Sequence, residues 1–264
     1  MTIDVRALTD RLERIESVAL LARAESTNLL GRRVLQECVE NRLALPSAII
    51  IALEQTGGRG RSGRAWYSPG GRGIWATTLH TRDSRELPLL PLQVAVSIAR
   101  FARDEFGVDA RIKWPNDIMV DGAKLGGILI EARAHNGHVL LIIGTGINVL
   151  PLGEGAPPDT SSLAEAAKTR VELDTAIEKF VEAIDRDLFR PYDPEAILAA
   201  WRALTIHREG DRIAFALGTE RIEGTWAGID DTGRARIRTA EGIREISAGD
   251  LILFQESAPS GSDG

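Results

Sequence analysis

The sequence predicts an α+β chain with a mixed or mostly antiparallel sheet, followed by a small β-barrel. Apolar segments of helical and of strand period are interleaved without the regular βαβ alternation of a doubly wound sheet. Two turn dipeptides, Asp121-Gly122 and Asn136-Gly137, stand between strand-like runs and favour antiparallel hairpins. After His207 the texture changes to short strand-like pieces separated by Gly, Asp and Thr turns.

In chain order, residues 5–22 read as an amphipathic helix with Leu8, Leu12, Ile15 and Ala19 on one face. A second helix is expected after Ser26, a suitable N-cap, carrying Leu29, Leu30, Val34, Leu35 and Val39. Ala48 to Leu53 has the β-branched richness of a buried strand, and Gly73 to His80 follows as another. Leu89 to Phe106, opened by Pro88 and Pro91, places Val94, Ile98, Phe101 and Ala102 at helical spacing. A short strand then leads into Lys113-Trp-Pro-Asn-Asp117, ahead of the two hairpins, and helices are expected over Thr175 to Phe189 and Pro194 to Leu204. The terminal pieces, Arg212–Leu217, Ile222–Ile229, Ala235–Thr239, Ile243–Ile246 and Leu251–Phe254, suit a five-stranded barrel. The expected domains are 1–204 and 205–256, with 257–264 a disordered tail by composition.

A formal net charge of −6 argues against general nucleic-acid binding, which relies on neutralising many phosphates. Cys38, the single cysteine, cannot form an internal disulfide and reads as a buried small apolar residue. Charged residues Asp4, Arg6, Asp10 and Arg11 stand where a secretion signal needs an apolar core. No apolar run approaches the roughly 20 residues of a membrane-spanning helix. A reducing cytoplasm is the expected location, with no membrane partner.

The chemistry concentrates in Glu54-Gln-Thr-Gly-Gly-Arg-Gly-Arg-Ser-Gly-Arg-Ala-Trp66, where four glycines alternate with three arginines after a strand. Glycine lets backbone approach a ligand, and each guanidinium offers a fork of donors matched to carboxylate or phosphate. Gly58, Gly60 and Gly63 satisfy GxGxxG, but Arg64-Ala-Trp-Tyr-Ser-Pro-Gly-Gly71 is turn sequence rather than the helix a dinucleotide site needs. The phosphate-loop pattern fails as well, for want of Gly-Lys-Ser/Thr. Trp66 could stack on a flat base or cover an apolar ring. In the second cluster, Pro115 interrupts pairing and leaves Asn116 and Asp117 at a strand end, while Lys124 taken alone would be an edge-strand lysine. Ser26-Thr27-Asn28 alone reads as a helix cap, and Gly144-Thr-Gly-Ile-Asn-Val149 as a strand ending in a glycine turn.

The order STN (26–28), EQTGGRGRSGRAW (54–66), KWPND (113–117), KLGG (124–127) and GTGINV (144–149) closely resembles biotin protein ligase, and the terminal pieces fit that family's SH3-like domain. The resemblance implies a catalytic domain related to class II aminoacyl-tRNA synthetases. It also implies synthesis of biotinyl-5′-AMP from biotin and ATP with Mg²⁺, then transfer of biotin to a lysine of a carrier domain of acetyl-CoA carboxylase or a related carboxylase. By the same resemblance Ser26, Thr27, Asn28 and Gln55 hydrogen-bond biotin's ureido ring, near backbone of Gly126 and Gly127. Arg59, Gly60 and Arg61 belong to the biotin and adenylate loop. Arg59, Arg61 and Lys124 offset the charge of carboxylate meeting α-phosphate, and Lys124 also contacts biotin. Trp66, Asn116 and Asn148 serve the nucleotide side or its wall, and Asp117 orients or deprotonates the acceptor amine.

Bifunctional members carry a winged helix-turn-helix, whereas about one helix precedes STN here, so direct DNA binding is not expected. A homodimer stays open. The rivals are a lipoate or octanoate enzyme of the same superfamily, which GRGRSG, KWPND and KLGG fit less well, and a non-catalytic biotin sensor.

Overall fold

The amino-terminal apolar spacing does not make one long helix in the computed structural model, which describes residues 3–135, 137–217, 220–247 and 250–253. Helix α1 spans only Val5–Thr9, and Ser17–Leu21 forms strand β1. The helix expected over 5–22 is thus corrected, and a tertiary contact explains why. The buried carboxylate of Asp185 accepts the backbone N–H groups of Glu13, Arg14 and Ile15 at 2.9, 2.9 and 2.7 Å. In a helix those donors would bond carbonyls four residues back, so their capture stops the helix. Ser17 to Leu21 then pairs in parallel with Ala48 to Ala52, and Ala19 lies opposite Ile50.

Apart from the short α4, which lies in a segment the sequence reading left unassigned, the remaining elements of the first unit follow the sequence closely. They are α2 (Thr27–Glu40), β2 (Ala48–Ala52), β3 (Gly73–Arg82), α3 (Leu90–Phe106), β4 (Arg111–Lys113), β5 (Asp117–Val120), β6 (Ala123–His135), β7 (His138–Asn148), a short α4 (Leu163–Ala166), α5 (Leu173–Leu188) and α6 (Pro194–Leu204). Pro91 sits in the first turn of α3, where its missing N–H costs no bond, and Gly107 closes the helix at φ 64°. The seven strands run in the order β1-β2-β3-β7-β6-β5-β4, and every neighbouring pair except the parallel β1–β2 is antiparallel. Both expected hairpins are present: β5–β6 turns at Asp121 and Gly122, and β6 meets β7 with His135 opposite His138.

Two layers cover this sheet. One face carries α2 over Ile50, Leu79, Leu140 and Ile142, with Leu35 and the buried Cys38 in the same cluster. On the other face Arg82 donates to the Leu188 carbonyl at the end of α5, and His80 meets Phe189 edge-on at 4.3 Å. Phe101 of α3 packs against Phe180 of α5 in that layer. No helix among the described residues is long and apolar enough to cross a membrane.

The chain divides into two units after Thr205. The second holds β8 (Arg212–Leu217), β9 (Glu220–Ile229), β10 (Ala235–Thr239), β11 (Gly242–Ile246) and β12 (Asp250–Leu253) in one antiparallel sheet ordered β11-β10-β9-β8-β12. Its core includes Ile213, Phe215, Trp226 and Ile237. This arrangement fits the expected SH3-like class; Phe254 and the expected tail at 257–264 lie outside the described residues.

Candidate functional site

The face of the sheet that α2 covers at one end runs on toward the motifs at the other. Alternation along β7 puts Ile142, Gly144, Gly146 and Asn148 on that face, and register brings Thr77 opposite Gly144 and Gly127 opposite Gly146. A Cβ on Gly144 would lie 2.4 Å from Asn28 Oδ1, and one on Gly146 would lie 2.6 Å from the Trp66 indole. Glycine is required there by close approach rather than by backbone angle. Asn28 and Trp66 therefore rest directly on the strand.

The amino end of α2 is held by the arginine loop rather than by its own cap. Ser26 occupies the N-cap position but makes no capping bond with its side chain. Gln55 takes over, its Oε1 accepting the backbone N–H of Thr27 at 2.8 Å with the Thr27 hydroxyl at 3.1 Å. Gln55 Nε2 donates to Ser68 Oγ, which donates to the Trp66 carbonyl, both at 3.1 Å. Ser26, Thr27 and Asn28 are all buried, so STN is part of an interior polar cluster.

Residues 58–66 form a tight turn-back. Trp66 N–H donates to the Gly58 carbonyl and Gly60 N–H to the Arg64 carbonyl, with Arg59 bridged to Ala65 between them. A 3₁₀ turn over Arg61–Gly63, with Ser62 and Gly63 at positive φ, makes the tip. This replaces the helix that a dinucleotide fold would place after GxGxxG. Arg59 lies on the exposed rim, whereas Arg61 crosses to Asn116 Oδ1 at 3.0 Å. Asn116 Nδ2 in turn donates to the Ile128 carbonyl at 2.8 Å, tying this contact to the sheet.

Lys124 is not an edge-strand lysine, because β6 lies between β5 and β7. Simple alternation would put it on the opposite face from Gly127. Register shifts beside Leu125, since Gly126 pairs with Ile118 but Lys124 with Met119, and this bulge turns Lys124 onto the Gly127 face. Its Nζ lies 2.6 Å from Asp117 Oδ1 and 5.1 Å from the Trp66 ring centroid. The ammonium thus has a carboxylate partner and an aromatic face.

The segment after β7, which sequence reading left unassigned, completes this corner. Lys124 N–H donates to the Asp159 carbonyl, and Ser161 N–H donates back to the Lys124 carbonyl. Asn148, 2% exposed, spends its amide on the Lys124 and Ser161 carbonyls at 3.3 and 2.9 Å. Tyr67 donates to the Glu154 carbonyl. Sequence reading also missed Ser68, Thr77 and Glu131, which bond to the motif residues. Thr77, a fully buried hydroxyl inside an apolar strand, was the available signal.

The site therefore has two halves on one sheet face. Neutral donors and acceptors gather at Thr27, Asn28 and Gln55, cations at Lys124 and Arg61, and Trp66 over the Gly127 and Gly146 floor lies beside Lys124. Trp66 Nε1 is buried with no hydrogen-bond partner among the described residues. Such a donor suits a polar ligand atom.

Comparison with known proteins places these residues in context. Residues 21–148 match the biotin/lipoate A/B protein ligase family, and residues 210–253 match the biotin protein ligase C-terminal domain. The biotin--[acetyl-CoA-carboxylase] ligase of Paracoccus denitrificans is 30% identical over 252 residues, covering 89% of this chain and 99% of that protein. The bifunctional ligase/repressor BirA of Bacillus subtilis is 30% identical over 227 residues, or 81% of this chain and 68% of that protein. Among solved structures, biotin protein ligase from Aquifex aeolicus in complex with biotin and ATP superimposes with a TM-score of 0.72 at 26% identity, covering 90% of this chain and 99% of that one. With both family regions matched in order and a relative covered almost end to end, the chain belongs to the biotin protein ligase family.

Proposed function

We infer that this chain, a biotin protein ligase, joins biotin to ATP as biotinyl-5′-AMP and then passes the biotinyl group to a lysine of a carboxylase carrier domain. The observation that carries this reading is the single sheet face shared by a neutral hydrogen-bonding cluster and a cationic corner. A ureido ring presents N–H donors and a carbonyl acceptor without charge, which suits Ser26, Thr27, Asn28 and Gln55. A site built for such partners leaves its own groups unpaired with the wrong ligand and can reject it by about 10⁴-fold.

In the first step a biotin carboxylate oxygen bonds to the α-phosphorus as the bond to pyrophosphate breaks. Two anions must approach, so Lys124, Arg61 and Arg59 supply the offsetting charge. Magnesium would come with the nucleotide and offset triphosphate charge, since no cluster of three or more His, Cys, Asp or Glu side chains among the described residues would hold it on its own. Trp66 lies beside Lys124, and from there it would cover the adenylate and limit its hydrolysis. Asn148 and Asn116 act by holding the Lys124 backbone and the Arg61 guanidinium.

In the second step the acceptor amine attacks the acyl carbon and AMP leaves. Once phosphate draws Lys124 away, Asp117 becomes available to take the amine's proton. Asp117→Asn should therefore slow transfer more than adenylation, with adenylation also falling because Lys124 loses its partner. Equal losses in single-turnover measurements of the two steps would remove the acceptor-specific role.

The whole reading is tested by supplying labelled biotin, ATP and Mg²⁺ with a carrier domain. Covalent label on the carrier is expected. Pyrophosphate exchange that requires lipoate and ignores biotin would overturn it.

A further inference from the structure

The hydrogen-bonded cluster at the neutral half of the site ends on a carboxylate that none of the sequence motifs contains. Glu131, on β6, accepts from Asn28 Nδ2 at 2.9 Å through one oxygen and from Arg32 Nε at 2.6 Å through the other. Asn28 Nδ2 also reaches the Leu129 carbonyl at 3.4 Å. These acceptors fix the amide, so Asn28 Oδ1 faces Thr77 Oγ1 at 2.6 Å. A carbonyl oxygen has no proton to give, and Thr77 must therefore donate its only one to Asn28. Thr77 is left with lone pairs toward Thr27, whose hydroxyl lies 2.8 Å from it and 3.1 Å from Gln55 Oε1. The Thr27 proton goes to one of those two acceptors. What Thr27 can offer an incoming ligand is then a lone pair, matched to an N–H donor.

We propose that Glu131, oriented by Arg32, is a positioning residue for biotin: its carboxylate sets the donor–acceptor polarity of the Asn28–Thr77–Thr27–Gln55 chain, so that Thr27 presents an acceptor to a ureido N–H. This rests on reading the neutral pocket as the biotin site. An amide at position 131 could offer its own NH₂ to Asn28, let that side chain turn over and reverse the chain. Thr77 would then accept from Asn28 and donate to Thr27, occupying a lone pair that Thr27 otherwise offers the ureido N–H, while the Thr27 proton is left to Gln55 Oε1 or the ligand.

The test is steady-state pyrophosphate exchange by the full chain, with biotin and then desthiobiotin, for wild type, Glu131→Gln and Arg32→Gln. Glu131→Gln is expected to raise KM for either ligand about ten- to a hundredfold, the range of one mispaired buried hydrogen bond, with kcat and KM for ATP within about twofold. Arg32→Gln, at an exposed position that does not threaten folding, should raise the same KM by about two- to fivefold. Thermal melting of each variant gives the folding control. An unchanged biotin KM in folded Glu131→Gln, or in Arg32→Gln should the first variant fail to fold, overturns the proposal. So does a loss confined to biotin and absent for desthiobiotin, which shares the ureido ring. Wild-type protein without biotin-dependent exchange would instead overturn the underlying reading.

Discussion

The two faces of the seven-stranded sheet are made by the same strands and do opposite things. On one, Ile74, Ala76, Thr78, Ile128, Ile143 and Ile147 are all buried, on the side where α5 ends against His80 and Arg82. On the other, the strands give up side chains at Gly127, Gly144 and Gly146 and are covered by Asn28 and Trp66. Burial of β-branched residues stabilises the first face; the second gives up that contribution to bring polar groups against backbone. On the proposed function the contrast separates stability from activity, and substitutions on each face can break it.

The largest effect is expected at Lys124. Lys124→Ala removes the ammonium from the cationic corner, and adenylate formation should fall by about 10²- to 10³-fold, equivalent to about 3 to 4 kcal/mol of barrier. Its stability cost should be small, because the pair with Asp117 is about one-third exposed on both sides. Pyrophosphate exchange and a melting curve on the same preparation check both halves. Normal turnover would dissolve the proposed division between the faces.

His80 probes the other face through pH. Burial, and secondarily the charge of Arg82, lowers its pKa from 6.5 to about 4. The unfolded chain therefore takes up a proton between those values while the native protein does not, so native stability is full above about pH 6.5 and falls as pH drops toward 4. The loss approaches about 3 kcal/mol, as an order of magnitude. His80→Phe keeps an aromatic edge for Phe189 and removes the titration. Urea midpoints measured from pH 7 to 4 should flatten in this variant, and an unaltered slope would reassign the acid sensitivity.

Gly146→Ala is the corresponding change on the site face. Its Cβ would lie 2.6 Å from the Trp66 indole, so the ring must shift. KM for ATP is expected to rise about tenfold, from roughly 1 to 2 kcal/mol of crowding. A titration of ATP at saturating biotin measures it, and an unchanged KM would show that the ring position does not govern the nucleotide.

Much of this division was legible in the sequence, and the parts that were not share a cause. The strand at 48–52, the helix at 90–106 and both hairpins follow from local period and turn chemistry, which need no knowledge of partners. The 5–22 segment failed because its helical spacing was real but its backbone donors are taken by Asp185, more than 150 residues away. Lys124 was legible as a motif member, yet its facing depends on the bulge at Leu125, which strict alternation reverses. The doubled glycine after Leu125 was the available hint. Glu131 and Thr77 carry no motif of their own and acquire significance only when β6 and β3 are brought beside Asn28.

Ile143→Val carries the smallest expected effect and the cleanest separation. Ile143 is 1% exposed and belongs to the face opposite the glycine floor, although its chain neighbour Gly144 touches Asn28. Removing one buried methylene should cost about 1 kcal/mol of stability. A one-residue step along β7 reverses the facing, so the lost contacts lie under the helical layer and not in the polar cluster. KM for biotin and for ATP should stay at wild-type values at a temperature well below the melting transition. If biotin KM rises with the loss of stability, packing beneath the strand controls how Asn28 is presented, and the two faces work as one device.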